Sequence, residues 1–175
     1  MNKISNETNL YYFYTDDLLD MRDYFLSSIK DNWKLNGFRL TTTETDGNDF
    51  GTKQYLDILK QRTEIILGLI KQNFGEYIIM SDIDIQFFAP CTDLINESLK
   101  DYDAVYLIEH LSVQTINGGF IVINCNDKML NFYTQLSKAD LSVYKHFDQT
   151  YTQQAIQENV FKAGVLPTPL FNMVH

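Results

Sequence analysis

The stretch Tyr77-Ile78-Ile79-Met80-Ser81-Asp82-Ile83-Asp84-Ile85-Gln86-Phe87-Phe88 constrains this chain more than any other. Its apolar run is too short and too β-branched for a helix, and it reads as a buried strand. The strand ends in two carboxylates one residue apart. Charge beside a core strand is costly unless something pairs with it. A divalent cation carrying a phosphorylated ligand is the usual partner of such an acidic lip. Chemistry on a phosphate-bearing substrate is therefore the first expectation. If the backbone stays extended, alternation puts Asp82 and Asp84 on one face. The competing reading is a pair of strand-end acids that are merely solvated or cap nearby amides.

Strands and helices alternate around this stretch. Leu10 to Thr15 is aromatic and β-prone. Asp16 and Asp17 are placed to cap a helix from about Leu18, with Leu18, Met21, Phe25 and Ile29 on one face. Asn36-Gly37 is expected to stop it, and Phe38 to Thr43 to form a second strand. Asp46 to Gly51 is a loop by composition. A long helix is expected from about Thr52 to Asn73, with Leu56, Leu59, Ile66, Leu67 and Ile70 on its buried stripe and Lys60 and Arg62 flanking it. After the acidic strand come a helix from Thr92 to Leu99, strands at Ala104 to Ile108 and Gly119 to Asn124, and helices near Lys128 to Leu136 and Asp148 to Gln157. A last strand is expected at Val160 to Pro167. The pattern predicts an α/β layered fold with a central, mostly parallel sheet flanked by helices. Ligands of such sheets gather at the carboxyl ends of strands, where Asp82 lies.

At 175 residues the chain is most simply one domain, and 45% hydrophobic with 21% charged residues is ordinary for a globular protein. The net charge of −9 excludes non-specific nucleic-acid binding, which needs a basic face. An acidic protein that handles an anion needs a metal or a local basic cluster. Cys91 and Cys125 make neither a metal spacing nor a disulfide framework and suit a reducing compartment. The polar Met1 to Glu7 lacks a signal-peptide core, and no apolar run is long enough for a transmembrane segment. The expectation is a cytoplasmic protein, or a soluble piece of a longer one.

Asp-x-Asp spacing alone is weak, and Asp101-Tyr102-Asp103 repeats it by chance; position after a buried strand carries the weight. Two other constellations follow it. Asn117-Gly118-Gly119 precedes an apolar run. Asn117 offers an amide to sugar hydroxyls and the glycines permit close backbone approach, although Asn-Gly is also a common turn. Phe147-Asp148-Gln149 opens a helix, where Asp148 is also a good N-cap. His110 and His146 read as ordinary histidines near loops, and Trp33 as a packing residue.

Taken together and in order, these residues resemble the nucleotide-diphospho-sugar transferase group of GT-A-fold glycosyltransferases. Ser81-Asp82-Ile83-Asp84, followed by aromatic residues and Pro90, resembles its metal-binding signature. Ile116 to Asn124 is similar to its strand beside the donor sugar, and Asp148-Gln149 to its Asp-Gln pair. Tyr12-Phe13-Tyr14-Thr15-Asp16 is similar to the first strand, whose end faces the nucleotide base. The resemblance covers about Leu10 to Asn172 and implies a GT-A (Rossmann-like) fold. It implies that Asp82 and Asp84 hold Mn²⁺ or Mg²⁺ on the diphosphate of a nucleoside diphosphate sugar, with UDP-sugar as the default donor. Thr15, Asn117, Gly118 and Asp82 would contact that donor, with Lys60 or Arg62 at its phosphates. Asp148 and Gln149 would lie near the reacting centre, with Asp148 as general base in an inverting reaction or steadying the oxocarbenium-like sugar in a retaining one. The acceptor would be a hydroxyl of a glycan, lipid or protein. His175 corresponds in context to a further metal ligand recruited from the C-terminal segment in many GT-A enzymes, but it is the last residue.

The chain is short for such an enzyme, which implies a minimal catalytic core over residues 1–175 or one domain of a larger protein. Two other readings compete. A haloacid-dehalogenase-like phosphatase also places Asp-x-Asp after a buried strand, but Gln86 stands where Thr or Val is usual. A catalytically silent sugar-nucleotide or glycan-binding module would keep the fold without turnover.

Overall fold

A computed structural model describes residues 3–41, 52–110, 115–144, 146–167 and 171–173, without the side chains of Glu109, His110 and 171–173. The described strands are β1 (Asn9–Tyr14), β2 (Lys34–Arg39), β3 (Tyr77–Asp82), β4 (Ile85–Phe87), β5 (Ala104–His110), β6 (Thr115–Asn124), β7 (Ala163–Val165) and β8 (Phe171–Met173). The helices are α1 (Leu19–Ser28), α2 (Lys53–Gln72), α3 (Thr92–Leu99), α4 (Asp127–Leu136) and α5 (Phe147–Gln157). Six strands form one sheet in the order β2-β1-β3-β6-β5-β7, and β4 pairs with β8 in a second, two-stranded sheet. Within the large sheet β6 runs against the other five strands. The architecture is the expected α/β layering with a mixed, mostly parallel sheet.

Alternation along β3 divides the core. Ile78 and Met80 face the layer of α2, α4 and α5 with Leu59, Ile66, Met129, Phe132 and Ala155. Ile79 faces the opposite layer, with Phe25 of α1 and Ile95 and Leu99 of α3. Each such fully buried side chain contributes about 1.5–3 kcal/mol of transfer free energy. Asp31 fixes the second layer by accepting from the amides of Cys91 and Thr92 at the start of α3. Trp33 is buried there, and its Nε1 donates to Thr92 Oγ1 at 3.0 Å.

Several boundaries depart from expectation. A 3₁₀ turn at Asp16–Leu18 precedes α1, which ends at Ser28, and Asn36-Gly37 lies inside β2 rather than stopping a helix. The Tyr12 ring occupies the space a Cβ at position 37 would need, 2.6 Å from its Cζ, so glycine is required by packing and not by a turn. The Asp46 to Gly51 loop and Thr42-Thr43 lie outside the described residues. Asn117 and Gly118 sit within β6, not in a strand-entry turn. The last expected strand is only three residues, Ala163–Val165, and β8 was not anticipated.

Strand register sets the position of the site. Phe13 pairs with Asp82, and Ser81 pairs with Phe120. The end of β1, the end of β3 and the first half of β6 therefore meet at one edge of the sheet. There β5 and β6 lose regular register: Tyr106 pairs with Ile121 but Leu107 pairs with Asn117. Such an irregularity re-aims backbone groups, here those of residues 118–120.

Candidate active site

Arg62 organises this edge. It lies on the buried stripe of α2 rather than beside it, with 9% of its surface accessible. Its Nη2 donates to the Gly118 carbonyl at 2.6 Å and stands 3.2 Å from Asp82 Oδ1. The guanidinium carbon lies 5.6 Å from the centre of the Phe13 ring, a cation–π geometry. Burial alone would lower its pKa, but Asp82 and Asp148 hold the guanidinium firmly charged.

Asp82 ends β3, and the chain then turns at Ile83-Asp84 instead of staying extended. Ile83 is buried and anchors that turn. The two carboxylates are thus brought near each other by a turn, and Asp84 Oδ1 is buried. Burial pushes Asp82 up to about 6; Arg62 opposes this, and the charges of Asp84 and Asp148 reinforce it. Since 37% of the Asp82 side chain reaches solvent, water screens part of each of these interactions.

Asp148 comes from α5. His146, exposed, takes the N-cap, so Asp148 lies in the first turn and does not cap the helix as expected. Phe147 has φ +48°, a left-handed conformation that costs a bulky residue of order 1–3 kcal/mol and is tolerated where surroundings enforce it. Its buried ring packs 5.4 Å from that of Tyr55. Burial raises the Asp148 carboxyl, while Arg62 and the backbone amides of Gln149 and Asp148 lower it, with a net upward shift.

The remaining expected residues divide. Asn117 Oδ1 accepts from the Gly119 amide at 2.7 Å, and a Cβ on Gly119 would lie 2.8 Å from that oxygen and 3.4 Å from Asp82 Oδ2. Nothing lies within 4 Å of a Cβ on Gly118. Thr15 is buried just beyond β1, and its Oγ1 has no hydrogen-bond partner among the described residues. Gln149 follows Asp148 and lines a small cavity with it and Arg62. Lys60 does not join the group. It is exposed and lines a separate groove of about 480 Å³ with Asp57, Lys138 and Asp140. His175 lies outside the described residues, as does the side chain of His110.

Sequence reasoning did not single out Tyr55. Its hydroxyl is raised to about 12 by burial, then by Asp148 and Asp82, with Arg62 opposing. Its place two helical turns before Arg62 on α2 is the signal that was available. Gly119 is expected to allow backbone approach, yet the close neighbour of its missing side chain is Asn117 itself.

The donor set suits a hard divalent cation. Burial raises Asp82 most, Asp84 and Asp148 add to it, and Arg62 is the cation that offsets it. Among the described residues no group of three or more His, Cys, Asp or Glu is spaced to hold a metal. Asp82 and Asp84 would therefore share an ion with oxygens from ligand and water, as hard cations commonly do.

Residues 23–175 match the family of nucleotide-diphospho-sugar transferases. No curated protein matches the chain. Among solved structures it is similar to the apo-form glycosyltransferase GlyE of Streptococcus pneumoniae, with TM-score 0.60 and 10% identity over 90% of this chain and 44% of that one. It is also similar to a glycosyltransferase involved in glycosylation of the major capsid of PBCV-1, with TM-score 0.57 and 13% identity over 91% and 81% of the two chains. The galactosyltransferase LgtC, in complex with donor and acceptor sugar analogs, gives TM-score 0.57 and 15% identity over 91% and 72%. The chain spans less than half the length of GlyE. These likenesses establish the GT-A fold.

Proposed function

This chain belongs to the nucleotide-diphospho-sugar transferase family, and from that premise we propose that it moves a sugar from a nucleoside diphosphate donor to a hydroxyl of a glycan, lipid or protein. UDP-sugar is the default donor, and residues 1–175 are read as one catalytic domain. Family membership leaves the haloacid-dehalogenase reading without support. The observation that carries the proposal is the convergence of Asp82, Asp84, Asp148 and Asn117 around Arg62 at one sheet edge.

Asp82 and Asp84 would hold Mn²⁺ or Mg²⁺, which when bound neutralises charge on the departing nucleoside diphosphate. Thr15, with its buried hydroxyl at the end of β1, offers a hydrogen bond to the nucleotide. Arg62 holds Asp82 and the Gly118 carbonyl in place and presents little surface of its own, so its part is to fix the acidic corner from behind. Asn117, whose oxygen accepts from the Gly119 amide, would stand beside the donor sugar at this edge. Asp148 and Gln149 line a small cavity with Arg62, and Asp148 is in electrostatic reach of it. A carboxylate fixed there offsets positive charge that develops on the sugar as its bond to phosphate breaks. No described helix is long and apolar enough to cross a membrane. The buried free cysteines Cys91 and Cys125 suit the reducing cytoplasm.

The test is thermal. Mn²⁺ with UDP or GDP should raise the melting temperature, and Asp82→Asn with Asp84→Asn should abolish the rise. A protein that ignores every nucleoside diphosphate would defeat the proposal. Binding without turnover of any nucleotide sugar would favour a silent binding module.

A further inference from the structure

Behind the acidic corner, α2, α4, α5 and the β5–β6 pair enclose a cavity of about 20 Å³ lined by Arg62, Tyr106, Tyr133, Asp148 and Thr152 among others. Two polar atoms of its lining residues, Arg62 Nε and the Tyr106 hydroxyl, are buried without a hydrogen-bond partner among the described residues. An unsatisfied buried N–H on a charged guanidinium costs more than a neutral one. A second orphan among the same lining residues makes coincidence a poor account. A cavity needs roughly 10–15 Å³ to hold one water, which also needs two to four polar partners. Both conditions are met here.

We propose that this cavity binds one structural water that accepts from Arg62 Nε and from the Tyr106 hydroxyl and donates to Asp148, making Tyr106 a positioning residue for the site. The hydrogen-bond inventory closes. Arg62 Nε–H and Tyr106 O–H each supply one donor, the water oxygen accepts both, and a carboxylate accepts in return. Tyr106 lies within electrostatic reach of Asp148, as does Arg62. The Tyr106 backbone is itself fixed, since its carbonyl accepts from the Leu166 amide at 2.8 Å and its residue pairs with Ile121 and Val165. The rigid sheet thereby sets the rotation of the guanidinium, whose Nη2 meets Gly118 and Asp82. The water links the donor-side carboxylate, Asp82, to the reacting-side carboxylate, Asp148, through one cation. Its part in catalysis rests on the transferase reading above; its presence does not.

The experiment uses the intact chain without nucleotide. In ¹⁵N-arginine-labelled protein, the Arg62 Nε–H should show a cross-peak to a long-lived water, and a high-resolution crystal structure should show density within hydrogen-bond distance of both atoms. Tyr106→Phe should lower the melting temperature and speed exchange of the Arg62 Nε proton by about tenfold, in line with one lost bridging contact to a charged group. A hydroxyl without a partner gives the opposite sign, because its removal relieves a desolvated group. An equal or raised melting temperature with unchanged Nε exchange overturns the proposal, as does a dry cavity in the unaltered protein. The wild-type measurements stand even if the variant does not fold. No nucleotide enters these readouts, so a failure to bind nucleoside diphosphates would overturn the transferase reading and leave this result untouched.

Discussion

Gly119→Ala, measured against Gly118→Ala, separates damage to the site from damage to the strand. The two glycines are neighbours in β6, and neither has the left-handed φ that would bar a side chain. A Cβ at 118 meets nothing within 4 Å, whereas one at 119 would lie 2.8 Å from Asn117 Oδ1 and 3.4 Å from Asp82 Oδ2. Non-bonded contact needs about 3.5 Å, so the Asn117 amide must retreat by roughly 0.7 Å. That retreat breaks its 2.7 Å bond from the Gly119 amide. The lost bond costs about 1 kcal/mol, and an off-rotamer side chain adds about 1 kcal/mol. Reduced freedom of the unfolded chain returns about 0.5 kcal/mol. The net is about 1.5 kcal/mol, or a fall of roughly 3–6 °C in melting temperature for a chain of this size. Gly118→Ala should be neutral or slightly stabilising by the same reasoning. Calorimetry with a nucleotide sugar and Mn²⁺ should then show donor affinity at least tenfold weaker in Gly119→Ala, since Asn117 is displaced beside Asp82. If Gly119→Ala melts with the wild type and binds donor equally well, the tight placement of Asn117 against Asp82 is wrong.

Arg62→Met keeps the packed stem but removes the guanidinium from Asp82 and Gly118; discounted for the partial exposure of Asp82, it should cost about 2–3 kcal/mol in chemical denaturation, and Asp82→Asn in that background should recover part of it. Asp82, raised to about 6, gives a signed pH dependence: without metal its contribution favours the fold below about pH 4, the ordinary carboxylate value, and is lost as pH rises through 6. Because an ion binds the deprotonated carboxylate, the melting-temperature gain from Mn²⁺ should widen from pH 5 to pH 7, and a gain that is flat across that range would count against Asp82 as a ligand. Thr15→Val, which deletes a buried hydroxyl without changing shape, should leave the ligand-free protein as stable or up to about 1 kcal/mol more stable while weakening UDP binding; unchanged UDP affinity would remove Thr15 from the donor site.

What the sequence made legible was local. The acidic strand, the limits of α2 and the span Thr92–Leu99 of α3 follow from periodicity and capping, and the structure agrees with them. What it hid was set by distant partners. Asn36-Gly37 has turn chemistry, yet Tyr12 from the neighbouring strand makes it part of β2. Arg62 sits by helical period at the stripe's edge, but Gly118, 56 residues away, accepts from it and draws it inward. Asp148 has cap chemistry, and the left-handed Phe147 shifts the helix start by one residue. The pairing of Ile85 with Met173 joins the acidic turn to a three-residue strand with no periodicity long enough to read. In each case a contact between remote segments outweighs a propensity worth a few tenths of a kcal/mol to about 1 kcal/mol.

The charge arrangement explains why two carboxylates at a strand end need not be mere surface acids here. The protein carries a net charge of −9, so an incoming diphosphate meets repulsion unless positive charge is supplied nearby. Both basic residues expected at the phosphates stand beside carboxylates of the protein itself. Lys60 faces a groove shared with Asp57 and Asp140, and Arg62 is buried with its Nη2 engaged by Gly118 and Asp82. At about 4 Å and an effective dielectric near 20, each unpaired like-charge contact costs about 4 kcal/mol. Folding has nonetheless buried Asp82 with Asp84 and Asp148 in electrostatic reach, and burial first, then their charges, raise its proton affinity. A dication arriving with the ligand would relieve the unfavourable charge gathered there, and linkage would make the relief mutual. On the transferase reading, the ion alone would bind weakly to two carboxylates, the diphosphate alone would bind weakly to an acidic corner, and each would raise the affinity of the other by the same factor. The buried arginine would then hold Asp82 in place in the interval before the ion comes.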